Sequence, residues 1–542
     1  MSFLGNCFGK ILDWICVWLK YGMVKLCSVF PKVAAWGAGD THPNASHQEN
    51  SDEWKSNMAL RTYDSGGQGA SMVTVITSTH TFHADLKRLS ECTEYFRALS
   101  QSGMKEATEN MVHLEHVSSA VFHRLLVFYF HDTFETPRDE ALGSYIQVSN
   151  YLLAESFLLR CLSMLTEELR PERCLSYLKL AREIYCLELR STVFDYLSRN
   201  LLELPQVITC LSEEEKEELI LLFLMRGKPR LCSLRKENLK SWKDPETERA
   251  RYIFAEQNGE WSPIAEFPFR ADKWCFTAVV LYNYLYIIGG YRTLVRRRWD
   301  FKIATFRYNP LTREWTAAAP LIKVRQRSQC IAFSTCTCQG RIYALGGWYL
   351  DSLVTPDSST ALYTAVECYD PWEDTWRFVS SLPLTDFQFN ISLSHDVPLA
   401  ASLRHFLYVL GSIQKTGEKV LLQYDTRQDL WRELLPTLTR ADADLPVLYF
   451  LMGASDKLVV IGGNNLHDVV TSFYVRSQKW GQAHSVQKSA LAGQGVLLGS
   501  QVMMPSLEHN SVVTMDVKTL SLKVLTPLPI SVCYEAIFYL HF

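Results

Sequence analysis

The residues of this 542-residue chain best suited to ligand recognition are arginines gathered around two loops. Arg292, Arg296, Arg297 and Arg298 follow one strand-like run, and Lys323, Arg325 and Arg327 lie in the connection towards the next. Guanidinium forks match carboxylates, and each exposed pair is weak, so several must act together on one acidic peptide. Trp299, Trp348 and Tyr349 stand nearby as apolar anchors. The expected ligand is an unknown protein substrate that presents acid; the alternative is solvated loop charge plus an arginine bracing its neighbours. Catalytic chemistry has no comparable cluster. No Walker or dinucleotide glycine loop, HExxH or GxSxG is present, and the histidines are dispersed, so no cofactor is expected and the chain reads as a non-enzyme. Cys336-Thr337-Cys338 looks like a ligand pair, but no CxxC or His partner follows it, and alternating positions of a strand suit it better than metal.

The elements that carry these loops repeat. Four times a strand-like run ends at or near Gly-Gly and is followed by an aromatic residue, six intervening residues and a tryptophan. The runs are Tyr284 to Gly290 with Tyr308 and Trp315, Arg341 to Gly347 with Tyr369 and Trp376, His405 to Ser412 with Tyr424 and Trp431, and Lys457 to Gly463 with Phe473 and Trp480. A period of roughly 50 residues with four strand-sized pieces resembles the blades of kelch propellers. A fifth copy, Gln501 to Pro529, keeps the cadence with Met515 and Leu522 in the aromatic and tryptophan places. Ser531 to Phe542 reads as the first strand of a further blade, and Ala250 to Pro268 as the outer two strands of one, with Trp261 in the tryptophan position. Joining them removes exposed edges and makes six blades, one of them shared.

Upstream, the periodicity is helical. Met72 to Thr77 reads as a strand, whereas Leu86 to Leu99, Ser119 to Phe130 and Leu142 to Leu165 read as helices. Cys174 to Leu202 has helical spacing with one break near Cys186, and Ser212 with Glu215 is a capping box opening a helix through Phe223.

Taken together, residues 71 to 542 resemble the BTB-BACK-kelch family. The segment Phe82 to Phe130 follows the BTB core pattern through Tyr95-Phe96, Met104, Glu106, Leu114, Val117, Phe122 and Leu126 to Tyr129, and Cys174 to Arg190 is similar to the start of a BACK domain. The resemblance implies a multidomain chain: an α/β BTB domain over 71–166, a short α-helical BACK domain over 167–235 and an all-β kelch propeller over 250–542. It also implies a substrate adaptor of a cullin-3 RING ubiquitin ligase, with cullin-3 held by the BTB and BACK parts and substrate by the propeller. Met104-Lys105-Glu106 matches the hydrophobic-x-Glu motif through which the family meets the cullin, and Tyr95, Phe96 and Leu99 lie on the adjoining helix. The bland alternative has Met104 capping the BTB core and Glu106 merely opening a helix. A scaffold or cytoskeletal protein of the same architecture that never engages cullin is the second reading. Where the family carries a charged pair at the BTB dimer centre this chain has Asp85-Leu86, which sets homodimerisation through that surface in question.

A net charge of −3 provides no footprint for nucleic acid, and fifteen cysteines scattered through apolar runs suit a reducing, cytoplasmic or nuclear setting. Residues 1–36 form a hydrophobic extension and 37–70 a polar linker. Asp13, Lys20 and Lys25 interrupt the extension, so it makes a poor transmembrane helix. Ile11, Trp14, Ile15, Trp18 and Leu19 share one helical face, which suits a membrane-surface or partner-binding helix as well as a packed extension.

Overall fold

The computed structural model describes residues 61–63, 71–134, 142–236, 249, 251–269, 272–295, 298–322, 331–349, 364–383, 387–388, 398–413, 419–438, 447–532 and 535–542. The chain divides between Asn200 and Leu201 into two compact units.

The first unit opens with strands β1 (Arg61–Tyr63), β2 (Met72–Thr77) and β3 (Thr81–Asp85) and helices α1 (Leu86–Cys92), α2 (Glu94–Gln101) and α3 (Lys105–Glu109). Strand β4 (Met111–Leu114) and helices α4 (Ser119–His131), α5 (Leu142–Tyr151), α6 (Glu155–Glu168), α7 (Pro171–Glu183) and α8 (Leu187–Arg199) follow. The sheet order is β1-β3-β2-β4; its alternating residues Val73, Val75, Phe82 and Ala84 are buried, as are Phe96, Phe122 and Leu126 of the helices, and the Phe82 and Phe122 rings meet at 5.4 Å. The single helix expected from Leu86 to Leu99 is two, because Thr93 leaves the helix and caps α2 through the Phe96 amide. Likewise Leu142 to Leu165 is broken where Leu153 adopts φ +50°. The break near Cys186 is present, with Tyr185 left-handed and the Cys186 sulfur accepting from the Leu189 amide. Asp85 is buried and caps α1 through the Lys87 amide.

The second unit begins with α9 (Pro205–Ile208) and α10 (Glu213–Met225), the latter opened by the Ser212/Glu215 capping box. Six blades follow. Blade 1 is β8 (Asp272–Leu281), β9 (Tyr284–Val295), β10 (Arg298–Asn309) and β11 (Glu314–Ala318). Blade 2 is β12 (Ile331–Cys338), β13 (Arg341–Tyr349), β14 (Val366–Asp370) and β15 (Thr375–Val379). Blade 3 holds β16 (Phe387–Gln388), β17 (Leu399–Leu403), β18 (Phe406–Ile413), β19 (Lys419–Asp425) and β20 (Leu430–Leu438). Blade 4 holds β21 (Val447–Ala454), β22 (Lys457–Gly463), β23 (His467–Tyr474), β24 (Lys479–Trp480) and β25 (His484–Gln487). Blade 5 is β26 (Val496–Leu498), β27 (Gln501–Ser506), β28 (Ser511–Asp516) and β29 (Leu522–Pro527).

Blade 6 closes the ring in the order β30-β5-β6-β7, from β30 (Glu535–His541), β5 (Pro229–Arg235), β6 (Tyr252–Gln257) and β7 (Glu260–Glu266). The shared blade is therefore present, with one correction. Residues 229–235, expected as the end of the helical BACK segment 167–235, form its second strand. Residues 201–225 also belong with the propeller. The Leu202 carbonyl accepts from Arg307 (2.7 Å), the Leu202 amide meets the Tyr284 hydroxyl (3.2 Å), and that hydroxyl donates to Glu203 (2.7 Å) under the Phe223 ring.

The spacing of six residues has a simple cause. It sets the aromatic residue and the tryptophan opposite each other across the outer hairpin: Tyr308 and Trp315, Tyr369 and Trp376, Tyr424 and Trp431, Phe473 and Trp480, and Met515 and Leu522 are all register partners. The four tyrosine or phenylalanine rings lie 4.8–5.1 Å from their tryptophans, worth about 0.5–1.5 kcal/mol each beyond burial. In blades 2 and 3 this pair becomes a clasp on the blade before. Trp376 donates to the Ala319 carbonyl, and Asp374 accepts from the Tyr369 hydroxyl and the Ala319 amide. Trp431, Tyr424 and Asp429 grip Ser380 in the same way. Both aspartates sit in a left-handed turn that their residue type tolerates. Blade 4 substitutes Phe473 and Gln478, and the buried Trp480 Nε1 has no hydrogen-bond partner among the described residues.

The paired Cys336 and Cys338 lie on β12, buried with Tyr343 and Cys368. Among the described residues no three His, Cys, Asp or Glu side chains are grouped to hold a metal ion, and no helix is long and apolar enough to cross a membrane. The calls on residues 1–36 and 37–70 lie outside the described residues apart from 61–63.

Two outcomes follow from this architecture. Truncation after Pro529 strips β30, including buried Ala536, Ile537, Phe538 and Leu540, from β5. It should yield aggregated protein; a monomeric product with a single sharp melting transition would contradict closure through β30. Burial tends to raise the Asp429 carboxyl, but bonds from the Tyr424 hydroxyl and Ser380 outweigh it and hold the pKa below the ordinary 3.8. The clasp therefore contributes stability that is complete above that value and fades as pH falls below it. Asp429→Asn should lower the melting temperature at neutral pH by the equivalent of about 1 kcal/mol and flatten the acid limb of the stability profile.

Candidate partner-binding surfaces

In the BTB unit, α2 and α3 place the five residues of the expected cullin surface unequally. Met104 precedes α3 with its side chain 42% exposed, and Glu106 is exposed in the first turn, where a helix favours acid. Met104 thus does not fill the core. Its carbonyl accepts from the Ala107 and Thr108 amides, which fixes the start of the helix beneath it. Phe96 is fully buried and Leu99 nearly so, and this corrects the expectation that they contact a partner: they are the floor of the surface. Tyr95 is half-buried between them and the outside, its ring 5.2 Å from Phe96 and 5.9 Å from Tyr151. Burial, with smaller contributions from Tyr151 and Glu106, pushes its hydroxyl up to about 12, so it stays a neutral donor.

Tyr151 was missed by sequence reasoning. It is 46% exposed, stacks edge-on with His116 at 4.7 Å, and ends α5 at the break that a continuous helix over Leu142 to Leu165 would have hidden. The 38% exposed Met111, on the edge strand β4, adds to the apolar side chains of the BTB domain open to solvent. These groups can hold a partner through aromatic and thioether contacts beside one carboxylate; they have no arrangement for bond-making chemistry.

In the propeller, antiparallel pairing turns the C-terminal ends of β5, β9, β13, β18, β22 and β27 the same way within their blades. Arg292 is on β9 opposite Phe301, and Arg298 and Trp299 on β10 pair with Val295 and Leu294. Trp348 and Tyr349 end β13 opposite Ala332 and Ile331. Arg296, Arg297, Lys323, Arg325 and Arg327 lie outside the described residues.

The same end of blades 4 and 5 carries a set of contacts that sequence patterning did not signal. Lys488, between β25 and β26, donates to the Tyr449 hydroxyl (2.8 Å) and the Asn464 carbonyl (2.7 Å) and forms an ion pair with the buried Asp468 carboxylate (2.9 Å). Burial alone would lower its pKa, but the Tyr449 and Asp468 contacts more than offset that and raise it. The Asn464 side chain accepts from the Leu466 and His467 amides, an Asx turn that sets the loop shape.

The chain matches the BTB/POZ domain model over residues 69–169 and the kelch motif model over 275–322 and 330–383. It is 26% identical over 224 residues to Kelch-like protein 35 of Mus musculus, covering 41% of this chain and 32% of that protein. It is 27% identical over 262 residues to Kelch domain-containing protein 7A of Mus musculus, covering 48% and 29%. With Kelch repeat and BTB domain-containing protein 2 of Pongo abelii it shares 24% over 389 residues, covering 54% and 59%. The chain thus spans about a third of the length of the first two relatives.

Replacing Lys488 by Met should leave Asp468 without its counter-charge and cost about 1–3 kcal/mol. Hydrogen exchange at residues 464–467 should accelerate while the BTB amides stay unchanged; unaltered exchange there would show that the ammonium braces nothing.

Proposed function

We propose that this BTB-domain and kelch-repeat chain, related to several kelch-like proteins, is the substrate-recognition adaptor of a cullin-3 RING ubiquitin ligase. The observation that supports this most is the solvent exposure of Met104 and Glu106 beside Tyr95 and Tyr151, over a floor of Phe96 and Leu99. An exposed apolar anchor with a flanking charge, rigidly backed by core, is the usual form of an interface hot spot. The propeller then holds substrate at the end where its loops converge, and proximity to the ligase does the rest. The adaptor has no catalytic group of its own and works in the cytoplasm or nucleus. Homodimerisation through the BTB domain is a separate property: Asp85, where the family carries a charged pair, is buried and caps α1.

Co-precipitation from cells tests the reading. Wild-type chain should recover cullin-3, and Met104→Ala/Glu106→Ala should lose about 2 kcal/mol or more of binding, a thirtyfold effect or so, with the fold intact. Equal recovery by both would reject these residues as the contact. Absence of cullin-3 from the wild-type precipitate would favour a scaffold of the same architecture.

A further inference from the structure

We propose that the loop tips of blades 4 and 5 form one rigid docking platform for a partner peptide that pairs two apolar side chains with a basic residue. The proposal rests on the reading of this propeller end as the substrate-binding end and specifies a substrate chemistry for it.

Two leucines stand out at this place. Leu466, at the tip between β22 and β23, is 82% exposed, and Leu507, between β27 and β28, is 48% exposed. A lone exposed leucine is ordinary, but these two are presented by loops whose shapes are fixed by hydrogen bonds. The first tip is held by the Asn464 side chain on the Leu466 and His467 amides (2.8 and 3.0 Å) and by the Asn464 amide on the His467 carbonyl (3.0 Å). In the second, the Ser506 hydroxyl meets His509 Nδ1 (3.0 Å), and Asn510 accepts from the Val532 amide (2.7 Å).

Residues 488–490 tie the two tips into one body. Lys488 donates to the Asn464 carbonyl, the Ser489 amide donates to Asp468 (2.9 Å), the Ser506 hydroxyl donates to the Ser489 carbonyl, and the Leu507 amide donates to the Ala490 carbonyl (3.0 Å). These bonds hold both tips in place before a partner arrives, which lowers the ordering cost of using exposed apolar side chains as anchors.

Charge selects the occupant. The Lys488 ammonium is taken up by Asp468, whereas exposed Glu508, next to Leu507, has no ion-pair partner among the described residues. The platform is apolar with an acidic margin. A peptide carrying two of Leu, Ile, Val, Phe or Met with an adjacent Lys or Arg complements it. The acid-seeking arginines of blades 1 and 2 ask for the opposite charge, so the two regions would read different parts of a substrate.

The purified full chain should be panned against a random-peptide phage library, and recovered peptides measured by fluorescence polarisation. The expected consensus is the apolar pair with a basic neighbour. Leu466→Ser and Leu507→Ser should each weaken binding about tenfold without moving the melting temperature, and Glu508→Lys should change the recovered consensus from basic to acidic. A library yielding no consensus, or binding by Leu466→Ser/Leu507→Ser equal to wild type, would overturn the platform. Cullin-3 co-precipitation by the same variants separates the two readings: retention of cullin-3 beside lost or absent peptide binding leaves the adaptor role standing.

Discussion

The propeller depends on one pairing, that of β30 with β5, which joins residues 300 positions apart in sequence through the buried ion pair of Arg235 with Glu535 (3.0 Å). The two are register partners, both almost wholly removed from water, and Arg235 also donates to the Ser531 carbonyl. A charge so deeply buried is costly unless paired, so loss of either residue would leave its partner uncompensated inside the closed sheet. Gln494 extends the closure to its neighbours. Its backbone bonds Glu535 and Ile537 on β30 (2.8 Å each), and its side-chain amide reaches both backbone groups of Ala278 on β8. Blades 5, 6 and 1 are thereby held by one residue, in addition to the outer clasps of Trp261 on the Thr526 carbonyl and Trp315 on the Glu266 carbonyl.

The clasps themselves are graded. Blades 2 and 3 possess the full set of tyrosine, aspartate and tryptophan; blade 1 keeps the tryptophan on the Glu266 carbonyl (2.8 Å) but has Arg313 at the turn. Blade 4 has the ring pair alone, and blade 5 has Met515 and Leu522 with Leu520 forced into the left-handed region. Blades 4 and 5 instead carry polar stitching at their loop end, through Lys488, Asp468, Ser489 and Ser506. The side of the ring that has lost clasping at its circumference has gained order at the end where loops can meet a partner.

Much of this was legible in the residues. The aromatic and tryptophan spacing reports direct cross-strand pairing, the Ser212/Glu215 pair reports a helix start, and the nearly continuous apolar run of the last strand reports burial on two faces, because each is a local pattern with a local cause. What escaped is what local pattern cannot carry. Strand β5, PRLCSLR, follows a helix and finds its partners at residues 535–541 and 252–257, so nothing beside it in sequence identifies the sheet. The breaks at Thr93 and Leu153 lie inside runs of apolar residues with helical spacing, and a left-handed Leu153 has no signature. Phe96 and Tyr95 are adjacent and chemically alike, yet one is core and the other half-buried: Phe96 shares the buried face of α2 with Leu99, and Tyr95 lies against Tyr151.

Closure through β30 also has a consequence for biosynthesis. Strands β5, β6 and β7 emerge from the ribosome about 270 residues before the strand that completes their sheet, a wait of roughly 13–55 s at translation rates of about 5–20 residues per second. During that interval the inner edge of blade 6, with the Arg235 guanidinium and the apolar faces of Cys232 and Leu234, has no partner from its own chain. An unpaired strand edge with an apolar face is what strand-to-strand aggregation requires, and slow elongation through the propeller lengthens its exposure.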